Sequence, residues 1–162
     1  MLRALICGAV LALAASAALA AEDWVAVERT IEVKAPAAKV WGLLGGYCAA
    51  NKARGAPCDF TKGTGELGTI RKLNPTTEEV KVGEGQYSYA YMQTLGANTP
   101  LRYHGNVSVL PTSGASSKIV YTLIYDQGGL ATDAERETTR NTFGTRFQGA
   151  IEQMKTLAEA AK

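Results

Sequence analysis

One histidine, His104, and three cysteines are the only nitrogen and sulfur ligands that this 162-residue chain offers to a metal. A tetrahedral zinc site takes four ligands, and with no second cysteine pair and no second histidine that set falls short. Charge of one sign is lacking too: 17 basic against 15 acidic residues leave a net +2, and the basic residues are scattered singly. Neither nucleic acid nor an anionic membrane surface is therefore implied as a partner. The chain has no G-x-S-x-G elbow, H-E-x-x-H pair or P-loop, which removes the usual signatures of a serine nucleophile, a zincin and a phosphate cradle. His104 falls on the polar side of an alternating segment and reads as a solvated side chain, not a catalytic base. No metal and no cofactor is expected.

Gly63-Thr64-Gly65-Glu66-Leu67-Gly68 matches G-x-G-x-x-G. A dinucleotide fingerprint needs a helix opening at the third glycine, so that pyrophosphate meets the helix N-terminus. Here Thr69 to Leu73 follows with strand character, so the segment reads as a glycine turn between strands. Asn106-Val107-Ser108 fits the glycosylation pattern but sits within a strand, and it carries no weight.

Residues 1–20 read as a leader and not as part of the fold. Arg3 gives the positive start, Leu5 to Leu13 the apolar stretch, and Ala18-Leu19-Ala20 the small residues before a cleavage site. Cleavage is expected between Ala20 and Ala21, leaving 21–162 as one domain in the periplasm with no integral membrane segment. Cys7 lies too early, after Ile6, for a lipoprotein signal. Cys48 and Cys58 then remain, and an even count in an exported protein predicts a disulfide. Two free thiols are the rival reading.

The remaining pattern is strands followed by one helix. Trp24 to Lys34 alternates, with Val25, Val27, Arg29, Ile31 and Val33 on one side. Val40, Trp41, Leu43 and Leu44 cluster in a short helix after Pro36, stopped at Gly45-Gly46 by the freedom of glycine at positive φ. Tyr47 to Pro57 is a connection that holds a possible second short helix. Strands are expected over Asp59–Lys62, Thr69–Leu73, Glu79–Glu84, Gln86–Thr94, Leu101–Leu110 and Lys118–Asp126. Thr132 and Glu135 form a capping box, and Phe143, Phe147, Ala150, Ile151, Met154, Leu157, Ala158 and Ala161 recur at helical spacing. A helix of about 28 residues would reach roughly 40 Å. Short turns join the strands, so they pair antiparallel, and the fold class is α+β: a curved sheet wrapped around the long helix.

The tyrosines point to a function. Tyr87, Tyr89 and Tyr91, then Tyr103, Tyr121 and Tyr125, fall on the inner parity of three strands. Buried phenols need hydrogen-bond partners, so a purely structural core would use Phe, Leu or Ile. A cavity holding water or an amphiphilic ligand accounts for the choice, the alternative being a closed core whose hydroxyls reach its edges. The candidate lining set is Tyr87, Tyr89, Tyr91, Tyr103, Tyr121, Leu123 and Tyr125 with Phe143 and Phe147 of the helix. Arg71 joins it if the register turns it inward.

Ile31-Glu32-Val33 with Ala35-Pro36-Ala37-Ala38-Lys39-Val40-Trp41, and Gly63 to Leu73, resemble the START-like, or SRPBCC, superfamily of lipid-transfer domains, polyketide cyclases and birch-pollen-type allergens. Tyr47-Cys48 with Pro57-Cys58 is similar to the cysteine pair of a periplasmic branch. The resemblance implies a helix-grip fold of about seven strands, two short helices after the first strand, and a cavity under the long helix for hydrophobic or amphipathic molecules. It implies no fixed catalytic set.

Three functions follow as expectations. The first is a periplasmic carrier of a small hydrophobic or amphipathic molecule. The second is a cyclase or dehydratase in which a tyrosine or Arg71 polarises a carbonyl. The third is an accessory module for a periplasmic redox enzyme, binding a protein partner.

Overall fold

The computed structural model describes residues 22–161, and the expected leader and its cleavage site lie outside them. The elements run β1 (Trp24–Val33), α1 (Ala37–Leu44), α2 (Ala49–Ala53), β2 (Asp59–Lys62), β3 (Ile70–Asn74), β4 (Thr77–Gly85), β5 (Ser88–Leu95), β6 (His104–Pro111), β7 (Ser117–Asp126) and α3 (Asp133–Ala160). All seven strands join one antiparallel sheet in the order β1-β7-β6-β5-β4-β3-β2. The first strand closes on the last, and the sheet grips α3 as the α+β reading requires.

Alternation fixes the inner face. Val27, Val33, Val107, Val109, Ile119 and Leu123 are all at most 4% exposed, and they meet Phe143, Phe147, Ile151, Met154 and Ala158 of α3. The capping box forms as expected, with the Glu135 N–H donating to Thr132 Oγ1 and the Thr132 N–H to Glu135 Oε2, both at 3.2 Å. Arg29 shares the inner parity of β1, and its guanidinium lies where a Cβ on Gly144 would be. That is why the helical stripe is interrupted by a buried glycine.

Several boundaries differ from the sequence reading. Gln86 and Tyr87 form the turn of the β4–β5 hairpin, because Gly85 pairs with Ser88. Residues Thr99–Leu101 make one 3-10 turn, and Arg102 takes a left-handed φ of 50°. The next strand therefore begins at His104, although Tyr103 keeps its inner parity. Gly45 ends α1 at φ −79°, not at positive φ. Its missing Cβ instead leaves room for the Trp41 ring, so steric space and not backbone freedom selects glycine there. Gly63, Gly65 and Gly68 do adopt positive φ (78°, 129° and 82°), and they form the turn between β2 and β3.

Candidate functional site

Arg71 and Glu79 are direct partners across the β3–β4 pairing, so their side chains leave the sheet on the same face. That face is the inner one. Arg71 Nε and Nη2 donate to Glu79 Oε2 at 2.9 and 2.7 Å. Nη1 donates to the Tyr47 carbonyl and, at 3.5 Å, to the Tyr89 hydroxyl. The guanidinium sits among three rings, 4.2 Å from the Tyr47 centroid, 4.8 Å from Tyr91 and 5.6 Å from Tyr89. Burial works against its charge, but the neighbouring Tyr89 and Glu79 more than offset this and hold its pKa above the ordinary value.

A phenol chain begins beside it. Tyr91 Oη lies 2.7 Å from Tyr121 Oη and 3.3 Å from Tyr103 Oη, joining β5, β7 and the residue just before β6. Tyr91 pairs with Gly105 on β6, where a Cβ would collide with the Tyr91 ring. Burial pushes the Tyr91 and Tyr121 phenols well above their usual range, and their phenol neighbours add to it. Burial likewise pushes Tyr103 up to about 12. All three are neutral at physiological pH and can donate as well as accept.

Part of this cluster forms one wall of a pocket of about 320 Å³ between the sheet and the middle of α3. Arg71, Glu79, Tyr91 and Tyr121 contribute from the sheet, and Arg146 and Phe147 from α3. Asn51, Arg54, Ala56 and Pro57 close the side. These last four lie between Cys48 and Cys58, whose disulfide spans a Cα–Cα distance of 5.5 Å. The bond ties the start of α2 to β2 and so holds that side wall to the sheet.

Of the residues singled out in the sequence, Arg71, Tyr91, Tyr121 and Phe147 border this pocket. Tyr103 stands one hydrogen bond behind it, and Tyr89 packs edge-on against Tyr47 with centroids 5.4 Å apart. Tyr87 lies in its turn against Trp41. Leu123, Tyr125 and Phe143 are core residues, with Tyr125 edge-on to Phe143 at 5.1 Å. His104 faces the outer side of the sheet, near Trp24. Among the described residues no three His, Cys, Asp or Glu side chains converge as metal ligands.

Glu79, Tyr47, Arg54 and Arg146 were not singled out in the sequence. The register of the hairpin at Asn74-Pro75 carries a signal for Glu79, opposite Arg71. Arg54 follows a five-residue helix in an irregular segment, and Arg146 sits beside the apolar stripe of α3, so neither had one.

The sequence matches, over residues 25–159, the family described as polyketide cyclase / dehydrase and lipid transport. The chain belongs to that family. Its match runs from β1 almost to the end of α3 and so takes in every element of the polyketide cyclase and lipid transport fold described above. No curated protein matches the sequence. Among solved structures, a protein of Nitrosospira multiformis superposes with a TM-score of 0.70 at 17% identity, covering 83% of this chain and 97% of that one. Norcoclaurine synthase of Thalictrum flavum, in complex with dopamine and hydroxybenzaldehyde, gives 0.64 at 17% identity, covering 100% of this chain and 99% of the other. XoxI of Bacillus cereus gives 0.65 at 19%, covering 81% and 93%. At these identities the likeness is one of fold, and function has to be argued from the pocket.

Proposed function

We propose that this family member binds and carries a small amphipathic molecule in the pocket between the sheet and α3. One observation carries the reading: a buried ion pair and a chain of neutral phenols border a space of about 320 Å³ that protein atoms leave unfilled. Buried charges stabilise a fold less well than apolar groups of the same shape, so their position beside open volume favours a role in recognition. The volume lies near the lower end of ligand pockets, about 300–1,000 Å³, and suits a single ring or a short chain. Phe147 supplies an apolar surface, and the phenols and Arg71 supply hydrogen bonds.

The leader, cleaved after Ala20, would deliver residues 21–162 as one domain to the periplasm. A formed disulfide agrees with an oxidising compartment. Among the described residues no helix is long and apolar enough to cross a membrane. Native mass spectrometry of protein purified from its own periplasm tests both points, through the mass of the mature N-terminus and of any retained guest. A protein that is always empty, and that binds nothing in a panel of lipids and aromatic acids, would end the carrier reading.

A second reading has its own observation. Tyr91, paired at 2.7 Å with Tyr121 and adjoining Arg71, could donate a proton or hydrogen bond to a substrate carbonyl, as a cyclase or dehydratase requires. The fold is also that of norcoclaurine synthase. Turnover that survives both Tyr91→Phe and Tyr121→Phe would remove these residues from any such chemistry. The accessory-module reading makes a different demand, namely that a periplasmic protein co-purifies under crosslinking.

A further inference from the structure

The charges around the pocket do not cancel. Arg54, Arg71 and Arg146 border it against the single carboxylate of Glu79. Glu79 is engaged by Arg71 through two hydrogen bonds to one oxygen. Arg54 and Arg146 enter no ion pair among the described residues. Arg54 is held in place by the Ala50 carbonyl at 2.9 Å and by Asn51 Oδ1 at 3.3 Å, both neutral acceptors. Arg146 rests over the Phe147 ring, 5.8 Å from its centroid. Its charge is felt inside: against the burial that raises the Tyr103 pKa, Arg146 acts to lower it.

Two uncompensated guanidinium groups therefore flank an opening whose inner wall is made of neutral phenols and a phenylalanine. Guanidinium is the planar donor fork that matches a carboxylate, and here one fork, Arg54, is half-buried and the other, Arg146, is exposed at the rim. We propose that the pocket selects a ligand bearing one carboxylate, held at the opening by Arg54 and Arg146, with its apolar part against Phe147 and Tyr121. This rests on the binding reading above and narrows it to one chemical class. The phenol chain then serves an oxygen at the far end of the guest, not its acidic group.

Matched probes of equal size test it: cinnamate against cinnamamide, and decanoate against decanamide, titrated calorimetrically into the full mature protein. In each pair the acid should bind about tenfold tighter or more at low salt, a difference of about 1.4 kcal/mol or more. The gap should narrow as ionic strength shortens the Debye length from roughly 10 Å at 0.1 M toward 3 Å at 1 M. The double variant Arg54→Gln/Arg146→Gln should bring acid and amide to equal affinity, with a circular dichroism spectrum like that of wild type as the check that it is folded. Arg146→Lys should keep part of the preference.

Equal binding of acid and amide by the wild-type protein overturns the charge inference and leaves the carrier reading standing. An acid preference that survives in the double variant overturns the assignment to these two arginines. If none of the four probes binds, the binding reading fails and this inference fails with it.

Discussion

Arg71 and Glu79 face each other across the β3–β4 hairpin with Nη2 and Oε2 2.7 Å apart, and the two side chains are only 3% and 2% exposed. Such a pair adds little when intact and costs much when broken, because the survivor is a buried charge without its partner. Glu79→Gln should lower the unfolding free energy by about 3 kcal/mol, measured by chemical denaturation. Arg71→Met/Glu79→Leu should recover most of that loss while abolishing ligand binding. A single variant as stable as wild type would mean the guanidinium finds water in the pocket and is not buried.

The raised phenol pKa values give a sign for alkaline behaviour. Tyr103, pushed up to about 12, keeps its proton in the folded state above the pH at which an unfolded tyrosine loses it, about 10. Its stabilising contribution is complete below about pH 10 and is lost as pH rises toward 12. Tyr91 and Tyr121 act in the same direction, so stability should fall steeply above about pH 10. Phenolate absorbance followed together with near-ultraviolet circular dichroism checks this. Tyr91 and Tyr103, each 1% exposed, should ionise only as tertiary structure is lost, and smooth ionisation of both in a folded protein would contradict their burial.

The Cys48–Cys58 bond spans ten positions and ties down the side wall carrying Asn51 and Arg54. Cys48→Ser should lower stability by about 2–3 kcal/mol in the chain-entropy account, and reductant should have no further effect on that variant. Affinity for a carboxylate probe should fall at temperatures where the variant is still folded, because Arg54 is no longer held to the sheet. Unchanged affinity would detach the disulfide from the pocket and leave it a role in stability alone.

Gly105 lies beneath the Tyr91 ring, with no space for a Cβ. Gly105→Ala should move the phenol off Tyr103 and Tyr121, at a cost of about 1–3 kcal/mol for overpacking. Tyr91→Phe, which keeps the ring, should cost about 1 kcal/mol for its lost hydrogen bonds. Binding should suffer more from Gly105→Ala than from Tyr91→Phe if the ring shapes the pocket wall. The opposite order would make the hydroxyl the contact that matters.

Local chemistry is legible one segment at a time, and here it reached far. The capping box of Thr132 and Glu135 and the spacing from Phe143 to Ala158 specify α3, because a helix buries what recurs every three or four residues. Period-two alternation likewise assigned the inner faces of β1, β6 and β7, and the glycines at 63, 65 and 68 marked a turn that only positive φ can make. The cysteine pair followed from parity of number. What the chain could not state locally is which groups from distant strands meet. Glu79 becomes a partner of Arg71 only once the hairpin register is set, and Tyr47 only once the link between α1 and α2 brings its carbonyl to the Arg71 guanidinium. Arg54 and Arg146 lie 92 positions apart, with no pattern relating them, and they share one opening because α3 crosses the sheet beside the disulfide-held wall. Sequence alone determined the parts and which side of each is apolar. Packing alone decided the charge of the space between them, because electrostatics depends on distance through space, which the order of residues does not record.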